Sequence, residues 1–521
     1  MSSGPAAGGF IEVKHRGLIT VSVMAAMIMQ ILDTTIANVA LPHMQASLGA
    51  AQDTITWVLT SYIVAAAIAT PITGWLSDNI GRKRLFLICI AGFVVTSALC
   101  GTAFSLSEMV LFRILQGAFG AALAPLSQSV IIDINPRERQ GQAMAIWGAG
   151  IMVAPIIGPT IGAWLTEDFN WRWVFYINIP IGILAMAGIY LFMPDTVRHI
   201  RRFDFFGFAM LSIAVGAFQF MLDRGAERDW FQSAEIMIEA GLAAGAAWMF
   251  VIHTATSREP FLDKRLFLDR NFAAALIFIF IIGIILLATM ALLPPMLQNL
   301  FGYPVITVGL VLAPRGIGTM LSMLVVGRLV RKVDPRILVF VGLALTAYSL
   351  YQMTFFSAEM DEWPIITSGV VQGFGLGFVF IPLSTIAFQT LDPRFRTDAT
   401  SLFNLVRNLG SSIGVSIMAF MLAGNIQTNH AALAARMTPF NENLPAAGID
   451  PMSFLTAAGQ QTAAQLNAMI NGQAAMIAYL DDFKLMLIIT LCATPLLFFL
   501  RHRPFPAMPG PPQAAPAAAM D

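Results

Sequence analysis

Ile31-Leu32-Asp33-Thr34-Thr35-Ile36-Ala37-Asn38-Val39-Ala40-Leu41-Pro42 closes an apolar run that begins near Gly17, and it sets a carboxylate where the chain should be crossing lipid. An ionisable side chain at that depth costs roughly 2.5 to 3.5 kcal/mol on insertion scales, so it turns toward a bundle interior or a water-filled path. A single carboxylate in that setting can carry a proton. Helical spacing gathers Gln30, Asp33, Thr34 and Asn38 on roughly one polar stripe, which suits a water-lined core better than lipid. Glu239, in a later apolar segment, is the rival carboxylate.

Composition points the same way. Of the 521 residues, 57% are hydrophobic and 12% charged, with a mean hydropathy of +0.73, far more apolar material than a soluble core can hide. The fold class read from this is an all-α polytopic membrane protein. Basic and acidic residues are equal in number, 30 each, which gives no reason to expect nucleic acid or an acidic partner. Cys89, Cys100 and Cys492 lack framework spacing, and the six histidines are expected in loops or tails, so no metal site and no cofactor is expected. The absence of an H-E-x-x-H motif and of any expected intramembrane histidine argues against a membrane-embedded enzyme.

Apolar stretches of about 20 residues, bounded by charge or by Pro and Gly, give about fourteen spanning helices. They divide as six, two and six. Residues 1–16 form a first tail, 17–193 a six-helix unit, 204–253 an inserted pair and 271–500 a second six-helix unit. Within the last, 425–473 is expected as a long outer loop whose end, Thr462 to Leu480, has the composition to extend the final helix outward. Residues 501–521 are expected to be a disordered, Pro/Ala-rich tail. The parity of the count places 22 of the 30 basic residues on the side that holds both termini. A missed helix would invert every later loop, so that side is expected to be cytoplasmic. Gly74-Trp75-Leu76 and Gly327-Arg328-Leu329 each precede a basic cluster after the second and tenth spans, as a duplicated unit would.

Gly74-Trp75-Leu76-Ser77-Asp78-Asn79-Ile80-Gly81-Arg82-Lys83-Arg84 resembles the G-x-L-a-D-r-x-G-r-k-x-x motif of the major facilitator superfamily. The fold this implies is the major facilitator fold, two six-helix bundles, here with two inserted helices for 14 in all. Physically, Gly74 permits close helix approach and Gly81 turns the loop. The resemblance implies a conformational latch of Gly74, Asp78, Gly81, Arg82 and Arg84, with Asp78 paired to a neighbouring arginine and to the positive end of a helix in the other half. Leu111-Phe112-Arg113-Ile114-Leu115-Gln116-Gly117 resembles the family's fourth-helix motif, whose buried arginine is linked to proton coupling. A buried guanidinium needs an anion; Glu108 is near in sequence and Asp33 is the more informative candidate. Ala154 to Ala163, with Pro155, Gly158, Pro159 and Gly162, resembles the fifth-helix motif of antiporters, although alanine stands at its first and last glycine. Gly and Pro there kink a helix and permit tight packing against a neighbour.

Leu32 to Pro42 resembles the first-helix motif of the fourteen-helix drug:proton antiporters, and Trp171 to Gly182, Met221 to Gly225 and Phe403 to Gly410 narrow the resemblance to the EmrB-like permeases. It implies proton-coupled efflux of amphipathic drugs across the bacterial inner membrane by alternating access, driven by the proton motive force without a cofactor. Asp33 and Arg113 would carry the coupling, and Gln30, Thr34, Asn38, Asn404 and Arg407 are candidate pathway residues. The partners implied are amphipathic small molecules and protons, a periplasmic adaptor of the EmrA type and an outer-membrane channel of the TolC type, for which 425–473 is the candidate contact. An exporter dedicated to one metabolite or siderophore, an uptake symporter and a membrane receptor stay open as competing readings. The fifth-helix motif speaks against the symporter; vesicle flux would separate the receptor.

Overall fold

The computed structural model describes residues 11–51, 54–196, 198, 200–225, 227–435, 437 and 457–500. Among them, fourteen helices are long and apolar enough to cross a membrane. The first six are α1 (Arg16–Leu48), α2 (Trp57–Ile80), α3 (Arg82–Thr102), α4 (Leu106–Asp133), α5 (Arg137–Asp168) and α6 (Trp173–Phe192). The inserted pair is α7 (Phe205–Arg224) and α8 (Ala234–Thr256). The last six are α9 (Arg270–Asn299), α10 (Val305–Leu329), α11 (Pro335–Met353), α12 (Trp363–Gln389), α13 (Arg396–Ala434) and α14 (Ala457–Ala493), which runs on into a 3-10 turn (Thr494–Phe499). No strand occurs among the described residues. We call the end of the bundle that carries Arg82, Arg201 and Arg396 the basic face.

Helix ends follow local chemistry. α1 passes through Pro42 and stops at Gly49, whose φ of 61° closes it in the left-handed region that glycine favours. With 33 residues it is longer than the stretch of about 20 that a crossing needs. Ser105 and Glu108 form a reciprocal cap at the start of α4: the Glu108 amide donates to Ser105 Oγ at 3.3 Å and Glu108 Oε2 accepts from the Phe104 amide at 2.9 Å. Glu108 is thus a cap and not the partner of Arg113. α5 is broken at Met152, three residues before Pro155, where the missing amide cannot complete the ladder.

Two expectations need correction. Of the expected outer loop over 425–473, α13 takes the first residues up to Ala434, and the helix expected over Thr462 to Leu480 is present and begins earlier, at Ala457; 436 and 438–456 lie outside the described residues, as do 1–10 and the tail 501–521. The two extensions lean together, with His430 Nε2 3.0 Å from Asn467 Oδ1 and the Asn429 amide donating to the Ala474 carbonyl at 3.5 Å. Histidines are also not confined to loops. His43 lies on α1, His430 on α13, and His253 in the last turn of α8, bonded to Asp204 at 2.9 Å.

The duplication visible at Gly74 and Gly327 is also spatial. A Cβ on Gly74 of α2 would overlap Asp398 of α13, and one on Gly327 of α10 would overlap Ala145 of α5. The second helix of each unit therefore crosses the fifth helix of the other at a glycine. α7 packs on α2, where the Phe220 and Trp57 rings lie 5.7 Å apart, and on α13, where Ser416 Oγ donates to the Leu222 carbonyl at 3.0 Å. α8 buries only Ile236, Ala243 and Ala246, and Glu239 lies on this peripheral helix.

Candidate functional site

Two helices, α4 and α6, deliver side chains to one carboxylate on α1, and α2 and α3 hold those side chains in place. Asp33 and Arg113 are both 0% exposed, and Arg113 Nη1 donates to Asp33 Oδ2 at 2.6 Å. Asp33 Oδ1 accepts from Gln116 Nε2 at 2.8 Å and from Asn178 Nδ2 at 2.7 Å. Gln116 stands one helical turn after Arg113, so α4 presents both to the same point, and Arg113 Nη1 donates to Gln116 Oε1 at 2.7 Å as well. Asn178 of α6 is oriented by its bond to Ser97 Oγ of α3 at 2.9 Å; Ser97 in turn donates to the Phe175 carbonyl at 2.8 Å. From α2, the Val58 carbonyl accepts from Arg113 Nε at 3.0 Å, and the Tyr62 ring lies 4.3 Å from the guanidinium carbon.

This arrangement is built for an ionised carboxylate. Three donors meet two oxygens, and one of the donors is a permanent cation. A proton on Asp33 would displace Arg113 from its anion, so protonation and the packing of α1 against α4 are mechanically linked. Desolvation of Asp33 is half the picture; the donors that offset it were not legible as a set.

The polar stripe of α1 does not form one surface. Gln30 Nε2 donates to Tyr62 Oη at 3.5 Å, the Thr34 hydroxyl turns back to the Ile31 carbonyl at 2.9 Å, and Asn38 is exposed. Of the stripe, Asp33 alone bonds Arg113, Gln116 and Asn178. The antiporter-type stretch of α5 supports the same helix. Cβ atoms at Gly158 and Gly162 would meet Thr35 and Ile36 of α1, the second at 3.0 Å from Ile36 Cγ2. Pro155 and Pro159 flank this contact and are partly buried. The neighbour that these small residues admit is therefore the helix that carries Asp33.

At the basic face, two chains of charge pass from one six-helix unit to the other. Arg82 pairs with Asp133 at the end of α4, and Asp133 Oδ1 accepts from Arg396 of α13 at 2.5 Å. Asp78 pairs with Arg201 at 3.1 Å, and Arg201 pairs with Asp398 of α13 at 2.9 Å. Burial works against the Arg201 charge, yet the Asp398 and Asp78 carboxylates hold its pKa above the ordinary value. Gly74 and Gly81 make room: the first seats Asp398 against bare backbone, and the second turns at φ 92°. Arg84 is exposed and stands apart from these pairs. Thr400 Oγ1 donates to the Pro125 carbonyl at 3.0 Å, and Asn404 Nδ2 donates to Gln128 Oε1 at 2.8 Å. The two units are bonded together on this face.

Asn404, expected to line a pathway, is buried in that inter-unit bond, and Arg407 lies partly buried on α13 with its guanidinium 3.5 Å from Asn408 Oδ1. Neither joins the Asp33 cluster. Sequence reasoning missed Gln116, Asn178, Asp133, Arg201, Arg396 and Asp398. A lone amide inside the apolar stretch Phe175-Tyr176-Ile177-Asn178-Ile179-Pro180 was a signal for Asn178. Another lay in Asn135-Pro136-Arg137-Glu138-Arg139 and Asp392-Pro393-Arg394-Phe395-Arg396, a second internal repeat that opens α5 and α13.

Gly74→Ala and Asp78→Ala are expected to lower turnover more than substrate binding. A methyl at Gly74 displaces Asp398, at an overpacking cost of about 1–3 kcal/mol, and both changes break the Arg201 bridge. Transport rate and equilibrium binding measured on the same preparation check this; equal loss of both would indicate misfolding.

Residues 23–415 match the family model of the Major Facilitator Superfamily. The chain belongs to that superfamily. Among members, it is 36% identical over 471 residues to the multidrug export protein EmrB of Haemophilus influenzae, covering 90% of this chain and 92% of the relative. It is 37% identical over 432 residues to EmrB of Escherichia coli, covering 82% and 84%. The human organic anion transporter MFSD10 shares the fold, with a TM-score of 0.60 at 15% identity over 92% of this chain and 100% of that one. A major facilitator chain with fourteen crossings is a multi-pass membrane transporter, not an enzyme.

Proposed function

We propose that this protein exports amphipathic drugs and toxic compounds across the bacterial inner membrane in exchange for protons. The observation that carries the reading is the fully buried Asp33–Arg113 pair, fixed by Gln116 and Asn178. It sits in a chain similar over most of its length to multidrug export proteins. In the cycle, the proton motive force is the energy source. A proton from the outer side neutralises Asp33, frees Arg113 and loosens the α1–α4 junction; its release toward the inner side re-forms the pair. The two six-helix units rock about the α2–α13 and α5–α10 crossings, exposing the drug site alternately.

The excess of arginine and lysine at the basic face supports a cytoplasmic assignment for that face and for both termini. With the ion bridges formed there, this conformation is closed toward the cytoplasm. The paired extensions of α13 and α14 then stand on the periplasmic side, and we assign them the contact with an EmrA-like adaptor that leads to a TolC-like channel. Reconstitution into vesicles with a pH-sensitive dye and a panel of hydrophobic drugs tests the function. Proton flux driven by several unrelated drugs is expected. Flux with a single metabolite or siderophore would make it a dedicated exporter, and no flux with any compound would reject transport.

A further inference from the structure

α14 carries a second intramembrane carboxylate that none of the ion pairs above uses. Asp482 is 0% exposed, and neither of its oxygens has a hydrogen-bond partner among the described residues. It lies on the stripe of α14 that buries Ala478, Tyr479, Phe483 and Met486, and that stripe joins a cluster with Met296, Met353 and Met418. Among the described residues no cation pairs with it. On its own helix, Lys484 pairs with Asp481 at 2.9 Å, and Asp481 and Tyr479 are the titratable groups that interact with it electrostatically. The helices packed on α14 carry Arg270 (α9), Arg336 (α11), and Arg396, Asp398, Arg407 and His430 (α13), with the exposed Tyr348 and Tyr351 on α11. Arg270 bonds the Phe499 carbonyl, Arg396 and Asp398 belong to the basic-face bridges, Arg407 reaches Asn408, and His430 reaches Asn467. Arg336 opens α11 at the basic face.

The duplication says where this group sits. In the first unit, the first, fourth and sixth helices meet at Asp33, Gln116 and Asn178. In the second, Gln372-Gly373 of α12 repeats Gln116-Gly117; Gln372 Nε2 donates to Thr289 Oγ1 of α9 at 3.3 Å, and Thr289 Oγ1, which donates to the Ile285 carbonyl at 2.6 Å, lies 3.6 Å from Met486 Sδ of α14. The same three helices meet, but a threonine replaces the carboxylate of the first helix and Gly369 replaces the arginine. The acid has moved to the sixth helix, one turn from the meeting point, without any donor.

An ionised carboxylate without donors or counter-charge in such surroundings costs several kcal/mol, whereas the neutral acid costs far less. Packing that leaves the side chain no exposure admits no ligand larger than a proton. We propose that Asp482 is a second proton-carrying group, held as the neutral acid in this conformation. When the second unit opens, its O–H bond breaks, the proton passes to water and a hydrated carboxylate remains; closure takes a proton back. This rests on the proton-coupled reading above.

Infrared difference spectra of the full chain in lipid, recorded between acid and alkaline conditions, test it. A carboxylic C=O band is expected that disappears on alkalinisation, is lost in Asp482→Asn and survives in Asp33→Asn. Vesicles of Asp482→Asn should bind drug normally and exchange about one proton fewer per drug molecule. Survival of the band in Asp482→Asn, its absence from the unsubstituted protein, or a band that never titrates would overturn the proposal. A band that titrates and is lost in Asp482→Asn, in a protein that shows no drug-driven flux, would support the assignment and reject the transport reading instead. If the asparagine variant does not accumulate, Asp482→Leu, whose side chain suits the methionine cluster, gives the same comparison.

Discussion

Asp33→Asn is expected to abolish drug-driven proton exchange while the protein still reaches the membrane, with a lowered melting temperature. The substitution keeps the side chain's size and removes its charge, and Arg113 cannot shed its own. Removing one partner of a buried pair costs about 3–5 kcal/mol, because the other charge is left without compensation. The asparagine NH2 faces either Arg113 or the Gln116 and Asn178 donors, so in both placements a donor is set against a donor. Flux in vesicles and thermal unfolding in detergent measure the two effects separately. Full exchange in this variant would remove Asp33 from the mechanism.

Arg113→Gln tests the opposite half of the pair, and its two effects divide differently. Without the guanidinium, Asp33 has an escape that Arg113 lacks: it can take a proton and remain buried as a neutral acid. The stability loss should therefore be smaller than for Asp33→Asn, about 1–3 kcal/mol for the lost bond to Val58 and the stacking on Tyr62. Transport should still fail, because nothing then drives the proton off Asp33. Drug binding should persist. A lower melting temperature for Arg113→Gln than for Asp33→Asn would contradict this asymmetry.

Much of this was legible in the sequence, for a physical reason. Membrane helices must bury apolar faces and cannot leave backbone groups unbonded, so hydropathy alone gave fourteen crossings in the arrangement of six, two and six. Charges inside such helices are few enough that Asp33 and Arg113 pointed to each other across 80 positions. Amides carry no such sign. Gln116 and Asn178 satisfy the same carboxylate, but an uncharged polar group in an apolar helix does not name its partner. Arg201 stood among other linker arginines as one positive charge of many, and only the fold singles it out between Asp78 and Asp398. In the segment after residue 425 the outward extension of the final helix was legible from composition, whereas the matching extension of α13 to Ala434 and the contacts between the two were not.

The placement of α7 makes the two flanks of the transporter unlike. It lies over the seam where α2 crosses α13, touching both, while neither inserted helix packs extensively on α5 or α10 among the described residues. If an apolar cargo approached sideways out of the lipid leaflet, α7 would bar it at the α2–α13 seam. The two flanks thus differ in cover, despite the near twofold symmetry of the machine.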